Sequence, residues 1–119
     1  MAKVIHRMEE QMAEITKVSE ATFSTEVLDS KLPVIVDFTA VWCGPCKMLD
    51  PIVSQLAQEW SGKMKVTRLD VDASPNLVME YEIMGVPTLM LFVNGQPVQR
   101  VSGYQPKDRI KAKFSSYLS

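Results

Sequence analysis

The sequence predicts one α/β domain, a mixed five-stranded β-sheet with helices on both faces. Three observations predict it. Val34-Ile35-Val36-Asp37-Phe38 is a continuous apolar run apart from its acid, and unbroken apolarity marks a strand covered on both sides, as in parallel sheets flanked by helices. Strand-like and helix-periodic segments alternate along the chain, which implies parallel strands joined by right-handed crossovers. Asn94-Gly95 separates two strand-like runs near the end, a signal for a tight antiparallel hairpin. The length of 119 residues suits a single domain.

The elements follow in order. In residues 1–13, Val4, Met8 and Met12 recur every four positions, the spacing of a helical stripe; both a short docked helix and a frayed tail fit, and the segment is set apart as an N-terminal extension to a domain over 14–119. Ile15 to Val18 alternates as a short strand. Ser19 is placed to cap a helix carrying Phe23, Val27 and Leu28. After the Val34–Phe38 strand, Leu49, Ile52, Val53, Leu56, Ala57 and Trp60 keep the 3/4 spacing of one buried helix face. Pro51 lies inside this helix and removes a backbone donor, so a kink is expected; Gly62 is expected to end it. Val66–Val71 reads as a strand. Ser74-Pro75 reads as cap and first position of a short helix with Leu77, Val78 and Tyr81. Pro87–Val93 and Val98–Ser102 form the hairpin. A last helix from Pro106 is expected to bury Ile110, Phe114, Tyr117 and Leu118.

Composition excludes several functions. Thirteen basic and 14 acidic residues give a net charge of -1, with no basic excess to hold a phosphate backbone. No apolar run reaches the ~20 residues of a membrane helix. Two cysteines rule out a disulfide-rich scaffold, and with His6 they do not complete a four-ligand zinc site. The first residues carry Lys3, His6 and Arg7 but no apolar signal stretch. A cytosolic protein is expected, and there a close cysteine pair is more often catalytic or metal-binding than structural. Eight methionines read as gap-filling residues.

The chemistry centres on Trp42-Cys43-Gly44-Pro45-Cys46, where the buried strand hands over to the periodic helix. At a helix N-terminus, free N–H groups and the helix dipole stabilise a thiolate. Three-residue spacing brings both sulfurs to one helix face, so a reversible disulfide is possible. Gly-Pro between two cysteines arises by chance only about once in 300 pairs. The plain alternative is two small buried hydrophobes. Cys43, nearest the N–H groups, is expected to be the more acidic and accessible nucleophile, with Cys46 one turn deeper as the resolving thiol. Asp37 stands in an apolar run; burial raises a carboxyl's pKa, which suits it to exchange a proton with Cys46, whereas an acid turned to a polar edge is the structural alternative. The parity of Arg68 on the next strand brings it toward Asp37, though a solvated strand residue fits the pattern equally. Val86-Pro87 precedes a strand, and one X-Pro pair does not reveal its isomer.

Over about Ile15 to the C-terminus the sequence resembles the thioredoxin family, through the Val34–Phe38 run, Trp42 to Met48, Pro51, Gly85-Val86-Pro87-Thr88, Phe92 with Asn94-Gly95, and Gly103. The resemblance implies a thioredoxin fold with strand order 1-3-2-4-5 and a protein-disulfide reductase in which Cys43 attacks, Cys46 resolves and Asp37 is the buried acid/base. It implies a cis Val86-Pro87 bond with Pro87 against the disulfide. It implies a substrate-docking surface of Trp42, Gly44, Pro45, Val86, Pro87 and Gly103, with Arg68 and Pro51 in support. No bound cofactor is implied; electrons would come from NADPH through a thioredoxin reductase, or from a ferredoxin-linked one. The implied partners are that reductase and disulfide-containing proteins, with the protein a cytoplasmic monomer that binds no nucleic acid or membrane. Oxidising members usually carry His before the second cysteine, where this chain has Pro45. Two further alternatives are a docking subunit using the apolar surface around Trp42 and Pro87, and a two-cysteine half-site for zinc or an iron–sulfur cluster completed by dimerisation. Three positions depart from the family pattern. Thr39 replaces a frequent aromatic, Asp50 replaces a common Ala, and Arg68 replaces a usual Lys without being an equivalent donor.

Overall fold

The computed structural model describes residues 15–118; the helix-or-tail reading of residues 1–13 lies outside them. Strands β1 (Ile15–Val18), β2 (Val34–Thr39), β3 (Lys65–Asp70), β4 (Thr88–Val93) and β5 (Gln96–Ser102) form one sheet in the order β1-β3-β2-β4-β5. The first three are parallel, while β4 runs antiparallel to β2 and β5 antiparallel to β4. This is the mixed sheet and strand order expected.

The period-2 geometry of a strand sorts β2 into two cores. Ile35 packs with Leu49, Val53, Leu56, Ala57 and Trp60 of helix α1 (Gly44–Glu59) and with Ile110 and Phe114 of α3 (Lys107–Phe114). Val34, Val36 and Phe38 pack on the other face with Phe23, Val27 and Leu77, the last from α2 (Pro75–Glu80). On that face Phe23, Tyr81 and Phe92 form an aromatic triangle, Tyr81 meeting Phe92 edge-on at 5.1 Å between centroids. Every residue of β2 from Val34 to Phe38 is buried, as its unbroken apolarity predicts.

One row of this sheet bears on the site. Lys17, Arg68, Asp37, Leu89 and Val101 stand side by side across the five strands. Asp37 shares the parity of Ile35, so the row faces α1. Its Leu89 and Val101 end is part of the apolar core; its Lys17, Arg68 and Asp37 end is charged.

Four local expectations are corrected. Ser19 caps no α-helix: its N–H donates to Thr22 Oγ1 and its carbonyl accepts from the Thr22 N–H, closing a turn. The segment beyond is one π-helical turn, Ser24–Leu28, in which the Asp29 N–H reaches the Ser24 carbonyl; Phe23 and Val27 are buried as expected, Leu28 only partly. Helix α1 ends at Glu59 with Trp60 at its C-cap, so Gly62 lies in the following loop with φ +81° and does not end the helix. After α3 the chain tightens into a 3-10 turn, Ser115–Tyr117, which leaves Tyr117 and Leu118 half-buried. Pro51 lies within α1 on its exposed side, where the lost ladder bond falls toward water. Pro97 sits on the edge strand at a register shift opposite Leu91 and Phe92, a place where proline costs no needed ladder bond.

Candidate active site

The carboxyl end of β2 delivers the chain to residues 40–43, and α1 starts at Gly44. Cys43 is the N-cap of α1, extended at φ -93° and ψ 112°, and Pro45 occupies the first turn. Proline is tolerated there because its missing N–H has no helical partner to lose. The Cys46 N–H donates to Cys43 Sγ at 3.2 Å, so the sulfur occupies the place an N-cap oxygen usually takes. Cys43 and Cys46 form a disulfide with Cα atoms 5.3 Å apart. The expected difference in accessibility is absent in this state: Cys43 is 4 % and Cys46 3 % exposed. Both cysteines are buried in a small apolar cluster with Ala40, against which Val71 and Val86 pack. The Val86 carbonyl oxygen lies 3.6 Å from Cys43 Sγ, so the loop approaches the sulfur nearer the helix end.

That loop has the expected cis Val86-Pro87 bond. Thr88 Oγ1 donates to the Gly85 carbonyl at 2.7 Å, and the Gly103 N–H donates to the Pro87 carbonyl at 2.8 Å. Gly103 has φ +79°, a region costly for residues with a Cβ. A Cβ at Gly44 would meet nothing within 4 Å, so the surface beside the disulfide is open at this position. Trp42 is 67 % exposed, and its Nε1–H donates to Asp72 Oδ2 at 2.8 Å. Asp72 in turn donates its backbone N–H to Asp70 Oδ1. The reading of the sequence did not single out Asp72; the turn-forming Asp70-Val71-Asp72 was the available signal. Val41 and Met84 stand exposed beside these elements, widening the apolar rim.

The buried acid lies beside Arg68 in the sheet row that faces α1. Asp37 is 1 % exposed, and burial pushes its carboxyl up to about 6; the positive charge of Arg68 opposes this and the negative charge of Asp50 adds to it. Arg68 Nε stands 3.5 Å from Asp37 Oδ2, and Arg68 Nη2 stands 3.4 Å from Asp50 Oδ1. The expected approach of Arg68 to Asp37 is present. The part of Asp50 in the same group was not foreseen. A cavity of about 670 Å³ opens beside them, lined by Thr39, Cys46, Lys47, Asp50 and Arg68 and, from the strand ends, Lys17 and Asp70. It connects the helix-side cysteine with the charged end of the sheet row. Pro51 follows Asp50 directly and does not line this cavity.

Two sulfurs held within bonding distance at a helix N-terminus can alternate between dithiol and disulfide. The chain is a thiol–disulfide oxidoreductase. The thioredoxin family model matches residues 14–116. The chain is 46% identical over 107 residues to a thioredoxin of Synechocystis sp., covering 90% of this chain and all of that one. It is 47% identical over 93 residues to a thioredoxin of Rickettsia felis, 78% of this chain and 89% of that one. A chloroplastic M-type thioredoxin of Spinacia oleracea matches at 36% over 118 residues, 99% of this chain and 65% of its own length. The chain belongs to the thioredoxin family and has that family's protein-disulfide reductase activity. These matches, together with the bonded cysteine pair, disfavour a purely non-enzymatic docking subunit.

Proposed function

We propose that the protein reduces disulfides of other proteins in the cytoplasm, with Cys43 attacking and Cys46 resolving. The hydrogen bond from the Cys46 N–H to Cys43 Sγ carries this assignment: it favours the thiolate at Cys43, and the helix dipole adds to it. Cys43 Sγ attacks one sulfur of the substrate disulfide; that S–S bond breaks and its other sulfur leaves as a thiolate that takes a proton. Cys46, losing its proton to Asp37, then attacks Cys43 Sγ of the mixed disulfide. The second substrate thiol is released and the Cys43–Cys46 disulfide closes, so two electrons pass to the substrate. Trp42, Gly44, Pro45, Val86, Pro87 and Gly103 form the docking surface, and the Val86 backbone beside Cys43 Sγ pairs with an extended substrate segment.

The disulfide is then reduced by a thioredoxin reductase that draws electrons from NADPH, so the protein acts as a monomeric electron carrier in the redox balance of the cytoplasm. Among the described residues no helix is long and apolar enough to cross a membrane. The test is an equilibrium redox titration of the Cys43–Cys46 pair, followed by Trp42 fluorescence and thiol labelling. A potential more reducing than the glutathione pool is expected. A clearly more oxidising couple would instead identify an oxidase or isomerase.

A further inference from the structure

Arg68 is held between two carboxylates and satisfies neither. Its gaps to Asp37 and Asp50, 3.5 and 3.4 Å, exceed ordinary N–H···O distances of about 2.7–3.2 Å. Both Asp37 oxygens, Asp50 Oδ1, and Arg68 Nε and Nη2 are buried without a hydrogen-bond partner. Unpaired buried polar atoms are costly, and Arg68 could satisfy Asp37 by moving inward a few tenths of an ångström. What stands against that move is the second carboxylate. The three side chains form a gradient toward water, with Asp37 1 % exposed, Arg68 26 % and Asp50 44 %. Only a planar guanidinium spans such a pair from two edges; an ammonium is a point charge.

We propose that Asp50 is a positioning residue for the proton step at Asp37: it anchors the outer edge of the Arg68 guanidinium and so keeps that cation from closing onto Asp37 as a hydrogen-bonded pair. The inference rests on the reading of Asp37 as proton acceptor. Short hydrogen bonds from the guanidinium to the ionised carboxyl would favour its charged form further and leave Asp37 a weaker base for a thiol proton near neutral pH. Stretched between two acids, Arg68 neutralises the pocket while its contact with Asp37 stays long. The other charged groups around the cavity are Lys17 from β1, Lys47 from α1 and Asp70 from β3. Asp70 is engaged with the Asp72 N–H. Beside Asp37 on β4 stands Leu89, and Val101 follows on β5, neither of them titratable. On α3, Lys107 and Lys111 pair with Glu59 at the far end of α1.

The experiment titrates the Asp37 carboxyl by carbon-13 NMR in the oxidised protein and, in parallel, records the pH–rate profile of disulfide reduction. It uses wild type, Asp50→Asn, Asp50→Ala, Arg68→Gln and the Asp50→Asn/Arg68→Gln double variant. Asp50→Asn and Asp50→Ala are expected to lower the Asp37 midpoint by roughly one pH unit, and in the Arg68→Gln background the drop is expected to shrink to the smaller part that the Asp50 charge exerts directly. An unchanged midpoint in both Asp50 variants overturns the proposal. So does an equal drop in the double variant relative to Arg68→Gln alone, which would mean that the direct charge of Asp50 is the whole of its effect. If the midpoint moves and the rate profile does not, the positioning role stands and the proton role of Asp37 falls.

Discussion

Replacing Asp37 by Asn removes a buried charge without changing the shape of the side chain, and the consequence for stability can be worked from the structure. The carboxyl titrates at about 6 in the folded protein against an ordinary 3.8. The folded state therefore holds its proton to higher pH than the unfolded state does. Between those values stability falls as pH rises, because the unfolded chain ionises first. The full loss is present above about pH 6, where a difference of about 2 pH units corresponds to roughly 3 kcal/mol. Asn mimics the protonated acid at every pH. Asp37→Asn is thus expected to be more stable than wild type by up to roughly 3 kcal/mol at pH 8, with the advantage shrinking toward zero near pH 4. Denaturant unfolding of the oxidised protein at pH 4, 6 and 8 measures it. A stability difference independent of pH, or absent at pH 8, would refute the reasoning. The same substitution is expected to slow turnover most above neutral pH, because Asn accepts no proton there.

Other substitutions test the remaining parts. Cys46→Ser is expected to accumulate mixed disulfides through Cys43, seen as reductant-sensitive adducts in a cell extract, whereas Cys43→Ser should lose disulfide reduction and form none. Asp72→Ala removes the anchor of the Trp42 indole; Trp42 fluorescence anisotropy should fall, and KM for a protein disulfide should rise roughly fivefold, the equivalent of one modest hydrogen bond. Gly103→Ala places a Cβ at φ +79°, and a loss of about 1–2 kcal/mol in denaturant unfolding is expected.

The parts of this protein that could be read from sequence are those where one element reports its own surroundings. The unbroken Val34–Phe38 run announced a strand covered on both faces, and the α1 stripe from Leu49 to Trp60 announced the helix that covers one of them. Strand parity allowed Arg68 to face Asp37 but left a solvated strand residue open; the register of β2 against β3 decided it. What stayed hidden depended on how elements lie across one another. The meeting of Asp50 with Arg68 depends on where α1 crosses β3, which no spacing encodes. Trp42 and Asp72 are 30 residues apart and meet through two loops. Position in a helix orders Cys43 and Cys46 by their nearness to free N–H groups, but their burial also depends on Val71 and Val86, which come from segments distant in sequence. The spacing of Phe23 and Val27 fits α and π turns alike when only one turn is present, so Ser24–Leu28 was not separable by period.

The disulfide closes a ring of only four residues, from Cys43 to Cys46. A cross-link removes less freedom from the unfolded chain the shorter its loop, about 2 kcal/mol here against nearly 5 for one spanning a whole domain. Opening it leaves the sheet, both cores and the helix beyond its first turn connected as before. The molecule can therefore be charged and discharged repeatedly without its architecture serving as the spring, and its affinity for electrons is left to a few atoms around one helix end.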